Sequence, residues 1–113
     1  MPGETAMPFG LNDQTIAKIV TVLAACPEIE KVLLYGSRVK GNYRNGSDID
    51  LTLVGDAVTQ SHLLRIANEL DDLLLPYKID LSLMRQIEDN EVIEHIKRVG
   101  VVFYKRPAGT ASR

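Results

Sequence analysis

The sequence predicts an α/β or α+β domain in which helices pack on one face of a four-stranded sheet. Three observations carry that expectation. Residues 48–53 and 78–83 alternate strictly between polar and apolar side chains, two short apolar runs at 31–35 and 101–104 read as further strands, and the segments between them return to helical spacing. The chain has 113 residues, of which 45% are apolar and 25% charged, a globular balance that fits one domain. Folding at this size buries roughly two thirds of the chain's surface, enough for two packed layers.

Residues 1–10 and 106–113 show no periodic pattern and are expected to be loose tails around a single domain spanning 11–105. Asn12 is a good N-cap, and Leu11 and Ile16 have the spacing of a hydrophobic staple. Ile16, Ile19, Val20, Leu23 and Ala24 share one helical face until Pro27 stops the helix. Lys31 to Tyr35 forms a buried strand ended by Gly36, and Ser37 is placed to cap a short helix reaching Gly41. Residues 41–46 have loop composition, with Asn45-Gly46 the sharpest turn signal. From Asp48 onward, Ile49, Leu51 and Leu53 point to the core while Asp48, Asp50 and Thr52 point away. Leu63, Ile66, Ala67, Leu70, Leu73 and Leu74 place a helix over 60–75, closed by Pro76. The second alternating strand turns Ile79, Leu81 and Leu83 inward and Lys78, Asp80 and Ser82 outward. A last helix over Asn90 to Arg98, with Ile93 and Ile96 buried, stops at Gly100 before the strand Val101 to Tyr104.

Composition narrows the function. No stretch approaches the ~20 apolar residues of a membrane helix, and the N-terminus lacks a basic region followed by an apolar run, so a cytoplasmic location is expected. Thirteen basic against fifteen acidic side chains give a formal charge of −2, without the basic field of a non-specific nucleic-acid binder, so a long polynucleotide is not expected as partner. Cys26 has no second cysteine to pair with, and His62 and His95 are far apart in sequence. The expectation is that no thiolate or imidazole metal cluster forms, that these three residues have no role, and that any metal is held by oxygen.

Burying the leucine and isoleucine faces leaves Asp48, Asp50 and Asp80 together on the opposite face. Side chains at i and i+2 of a strand stand about 7 Å apart along the chain, a spacing that suits carboxylates converging on a cation. Oxygen-only ligation favours Mg²⁺ or Mn²⁺. A solvated strand face would tolerate the same aspartates, so Asp48-Ile49-Asp50 by itself decides nothing. Gly36-Ser37 after a buried strand changes the balance. Backbone N–H groups at that turn, the cationic Arg38 and Lys40, and the absent side chain of Gly36 together suit a phosphate.

Leu34-Tyr35-Gly36-Ser37-Arg38, then Gly41, then Gly46-Ser47-Asp48-Ile49-Asp50-Leu51 resembles the nucleotidyltransferases of the DNA polymerase beta superfamily. Their signature is Gly-Ser, about ten residues, then Asp-x-Asp; Lys78-Ile79-Asp80-Leu81 sits where they keep a third carboxylate. The likeness extends over residues 11–105, and the absence of a second domain resembles the minimal nucleotidyltransferase (MNT) group, whose members pair with small helical HEPN toxins as antitoxins. The resemblance implies the nucleotidyltransferase fold, with a mixed sheet, and magnesium-assisted transfer of AMP from ATP to a hydroxyl, such as a tyrosine of a HEPN partner. It implies that Asp48, Asp50 and Asp80 are catalytic and hold two magnesium ions, and that Gly36, Ser37, Arg38, Lys40 and Ser47 contact the nucleotide. Tyr43 is placed to stack on the base or to pack on its own hairpin, and Lys78 to offset the carboxylate charge. Two other readings stay open: a module that neutralises its partner by occlusion, and a small-molecule nucleotidyltransferase completed by a second chain. The chain is expected to work as a hetero-oligomer or a homodimer.

Overall fold

The computed structural model describes residues 8–107 except Asn45. Four helices, α1 (Asp13–Ala24), α2 (Ser37–Lys40), α3 (Gln60–Asp71) and α4 (Asn90–Val99), alternate with four strands, β1 (Lys31–Tyr35), β2 (Ile49–Val54), β3 (Ile79–Leu83) and β4 (Val101–Lys105). The strands form one mixed sheet in the order β3-β2-β1-β4. β1 runs antiparallel to β2 and β4, while β2 and β3 are parallel because α3 carries the chain back between them. Asn12 caps α1 by accepting from Thr15 N at 2.8 Å, as its side chain and position foretell. No helix among the described residues is long and apolar enough to cross a membrane.

The core lies between the sheet and α1 with α3. Ile19 and Leu23 of α1 and Ile66 and Leu70 of α3 pack with Val32, Leu34, Ile49, Leu51, Leu53 and Leu83, all buried. The apolar phase of both alternating strands is therefore the core phase. α4 packs against β1.

Four local expectations change. α3 ends at Asp71, four residues before the apolar spacing gives out: Leu73 N and Leu74 N fall back to three-residue bonds with Leu70 O and Asp71 O, and Leu74 turns left-handed (φ 55°) and is 87% exposed. Thr52 lies on the face away from the core and is nevertheless fully buried, because Ser82 Oγ donates to its hydroxyl at 2.9 Å from β3. Phe9 and Gly10 are not a loose tail but form a turn whose Phe9 ring packs on the core. Arg106 also is tied down, its N donating to Glu30 O at 2.9 Å and its Nη1 to Pro27 O at 2.8 Å. The rest of both expected tails, 1–7 and 108–113, lies outside the described residues, as does Asn45 of the expected Asn45-Gly46 turn.

Candidate active site

The site is built where β1 ends and β2 and β3 begin. Because β1 is antiparallel to β2, Tyr35 stands opposite Asp50; because β2 and β3 are parallel and in register, Asp50 stands beside Asp80. Asp48 occupies the loop immediately before β2, exposed, and Asp80 is exposed as well, whereas Asp50 between them is half-buried. Three carboxylates thus share one corner of the sheet, without their oxygens all lying within 4.8 Å of one another. The electrostatic consequence falls on Asp50: burial raises its carboxyl above the usual range, and the charges of Asp80 and then Asp48 raise it further, against a smaller opposing influence of His95.

Gly36 joins this corner directly. It has φ 86°, and a Cβ built there would collide with the Asp50 carboxylate. Any side chain would thus both strain the backbone and displace the acid. Gly36, not Ser37, is the N-cap of α2: its carbonyl accepts from Val39 N at 3.2 Å and Lys40 N at 3.1 Å, and Ser37 is the first helical residue. The short helix closes on Gly41, left-handed at φ 87°. Ser37 is half-buried beside the carboxylate corner and Lys40 is exposed on the same turn.

Arg38 and Ser47 hold the loop before β2. Arg38 is buried, 3% exposed, with Nε and Nη2 donating to Ser47 O at 3.2 and 2.8 Å and Nη1 to Phe9 O at 2.7 Å. Its guanidinium lies between Tyr43 and Tyr77, 5.2 and 4.9 Å from their ring centroids. These contacts turn three of its five N–H groups to backbone carbonyls, so it clamps the loop that carries Asp48. Ser47 serves the same loop: its carbonyl receives Arg38 and its Oγ accepts from Arg44 N at 2.8 Å. Tyr43 accordingly packs on Arg38 and over Gly10, where a Cβ would strike its ring.

His95 is the residue that sequence reasoning missed. Its Nε2 accepts the Gly36 N–H at 3.1 Å across 59 residues, and its ring meets that of Tyr35 edge-on, centroids 6.1 Å apart. The amide can only donate, so Nε2 presents a lone pair and α4 is pinned to the Gly36 turn. Tyr35 hydrogen-bonds Ser82, and burial, followed in smaller measure by the charges of Asp50 and Asp80, keeps its hydroxyl above the usual phenol range. No spacing rule links position 95 to position 36. Only the packing of α4 on β1 does.

The expectation that no thiolate or imidazole cluster forms also fails, because folding brings Cys26, Glu28 and His62 together at the other end of the sheet. The donor set at the carboxylate corner fits a hard divalent cation: three oxygen acids, one of them half-buried and held against its charge by the other two, gain most from a magnesium or manganese ion. Asp48, Asp50 and Asp80 would hold it.

The polymerase beta nucleotidyltransferase family model matches residues 17–108, which contain Gly36, Ser37, Asp48, Asp50, Asp80 and His95. The chain belongs to that family. A search of the curated proteins found no match. Among solved structures, the chain is similar to a toxin–antitoxin crystal structure with AMP-PNP at 22% identity and TM-score 0.62, covering 84% of this chain and 74% of that one. It is similar to the MntA–HepT toxin–antitoxin at 19% identity and TM-score 0.61, covering 83% and 73%. A tri-AMPylated Shewanella oneidensis HEPN toxin in complex with its MNT antitoxin gives 19% identity and TM-score 0.60, covering 81% and 71%. At these identities the likeness is one of fold.

Proposed function

We propose that this nucleotidyltransferase moves AMP from ATP to a hydroxyl with the help of magnesium, and that its acceptor is a tyrosine of a HEPN-type protein partner. The observation that carries the reading is the in-register placement of Asp50 beside Asp80, with Asp48 at hand and Gly36 directly above Asp50. Magnesium held by the three carboxylates supplies charge neutralisation for the triphosphate and for the leaving pyrophosphate. The chain's own residues do the rest. Gly36 leaves room for the Asp50 carboxylate against the backbone, the amides at the start of α2 and Ser37 contact phosphate oxygens, and Lys40 adds positive charge at the rim. Arg38 acts at a distance by fixing the loop before Asp48. His95 fixes the Gly36 amide.

In the transfer, the acceptor oxygen bonds to the α-phosphorus as the bond to the bridging oxygen of pyrophosphate breaks, and the hydroxyl proton passes to Asp80, an exposed carboxylate of the corner. A phenol of pKa near 10 yields that proton more readily than an aliphatic hydroxyl does. The acceptor class is supported by the likeness to a complex whose HEPN toxin is tri-AMPylated, and by a net charge of −2 that offers no field for a polynucleotide. The deciding assay incubates the chain with labelled ATP, Mg²⁺, single-stranded DNA, tRNA and the product of a neighbouring HEPN gene. Label on a tyrosine of the protein is the expected result. Label on nucleic acid alone overturns the acceptor, and a tight complex without label favours occlusion.

A further inference from the structure

At the end of the sheet remote from the carboxylates, the turn leaving α1 meets the start of α3. Cys26 follows the helix cap Ala25; its backbone N donates to Leu23 O at 3.1 Å, and its side chain is buried. The thiol donates to Glu28 Oε1 at 3.3 Å. His62 is the third residue of α3, where its Nδ1 accepts from Thr59 N at 3.0 Å and closes the helix cap. That bond aims the other ring nitrogen, Nε2, at the same Glu28 Oε1, 3.7 Å away. One sulfur, one carboxylate oxygen and one imidazole nitrogen lie within 4.8 Å of one another.

We propose that Cys26, Glu28 and His62 form a binding site for a borderline-soft divalent cation, zinc above all, distinct from the carboxylate corner. Donors bound to a tetrahedral zinc at 2.0–2.3 Å stand roughly 3.3–3.8 Å apart. The separations of 3.3 and 3.7 Å about Glu28 already have that size, so an ion enters with little movement of the side chains. The frame is stiff: Pro27 joins the two ligands of the turn, Ile29 N bonds Cys26 O at 3.1 Å, and Thr59 Oγ1, 3.1 Å from Nδ1, orients the ring from behind. Cys26 forms the floor, while Glu28 and His62 keep side-chain exposures of 36% and 23%, which leaves the fourth position to water. Thiolate and imidazole select zinc, cobalt or copper over magnesium, the opposite preference to three aspartates.

Without an ion, burial and the Glu28 carboxylate keep the thiol protonated. Binding therefore releases one proton, as the Cys26 S–H bond is exchanged for a sulfur–metal bond. Ligation through Nε2 requires the ring proton on Nδ1, where Thr59 Oγ1 at 3.1 Å accepts it and the Thr59 N–H gives up its acceptor. Arg65, one turn further along α3, pairs with Glu69 at 3.9 Å and adds a positive charge felt by Cys26 and Glu28, which moderates the affinity. The bound ion clips the end of α1 to the start of α3, the two helices that cover the core, and so stabilises the fold.

Cobalt is the probe, titrated into the metal-free full chain. The expected result is one equivalent bound with thiolate-to-cobalt charge-transfer absorption, displaced by zinc, and a melting temperature raised by zinc at concentrations where magnesium has no effect. C26A, E28Q and H62Q each lower the affinity at least tenfold. H62Q retains a Thr-x-x-Gln capping box, so the start of α3 survives even where the buried C26A variant folds poorly. The D48N/D50N double variant keeps the charge-transfer absorption, which separates this site from the catalytic one. Absence of that absorption at one equivalent of cobalt, or affinity unchanged in H62Q, overturns the proposal.

Discussion

The two ends of the sheet hold their acids in opposite ways. At the carboxylate corner Asp48, Asp50 and Asp80 lie close enough for burial and the charges of the other two to keep the half-buried Asp50 from ionising readily. At the remote end the single carboxylate, Glu28, is held below the usual carboxylate range by its own backbone N–H, then by the Cys26 thiol it receives, and in smaller measure by His62, 3.7 Å away. One corner is a set of like charges that gains from a cation immediately; the other is internally satisfied and must release a proton before an ion can bind. Hard and softer metal preferences follow from these donor sets, although both corners lie at ends of the same sheet.

The largest effect that would sharpen this contrast is expected from D48N/D50N. Transfer should fall about a hundredfold or more, because charge neutralisation in the transition state is lost, while far-ultraviolet circular dichroism stays native since neither side chain belongs to the core. Wild-type turnover at saturating Mg²⁺ in that variant would dissolve the distinction between the corners.

Gly36→Ala comes next. The added Cβ meets the Asp50 carboxylate at a position with φ 86°. The cost is about 1–3 kcal/mol in denaturant unfolding, with weakened ATP binding by calorimetry in the presence of Mg²⁺. Retained affinity would move the phosphate away from this turn.

Arg38→Lys tests whether the buried cation is structural. A single ammonium cannot reproduce the fork that reaches both Ser47 O and Phe9 O, so stability should drop by about 2 kcal/mol. ATP affinity of the folded fraction should stay close to wild type. The reverse outcome, stability kept and ATP binding lost, would restore Arg38 to the phosphate site.

The smallest effect is a pH dependence. Asp50 binds its proton more tightly in the folded chain than in the unfolded one, so its ionised form costs stability at neutral pH. That cost disappears as pH falls from the raised folded value to the ordinary carboxylate range. D50N should therefore melt slightly higher than wild type at pH 7, with the gap closing on acidification, and Mg²⁺ should raise the melting temperature of wild type more than that of D50N. Melting curves that run parallel over that range would show that Asp50 carries no such burden.

Local patterns were enough for much of this. The two alternating strands, the Asn12 cap, the bounds of β1 and the glycines at 36 and 41 are all short-range: period, capping chemistry and left-handed turns are properties of a few neighbouring residues. The Gly-Ser and Asp-x-Asp spacing likewise stands in one loop and one strand, so the family could be read from it. Asp80 was legible because a second strand with the same alternation must turn its polar phase the same way.

What the sequence could not determine is which distant segments meet. Arg38 reads as a phosphate ligand by its place in the turn, and only the arrival of Phe9 and the loop at Ser47 shows three of its five donors turned to carbonyls. His95 and His62 looked alike, each a lone histidine on a helix. Packing of α4 on β1 carried one to Gly36, and the closure of the turn after α1 against α3 carried the other to Cys26 and Glu28. Burial and charge sums depend on those same long-range contacts, as the raised Asp50 shows. Periodicity fixes which way a side chain points, and only the closed sheet and its helices decide what lies there.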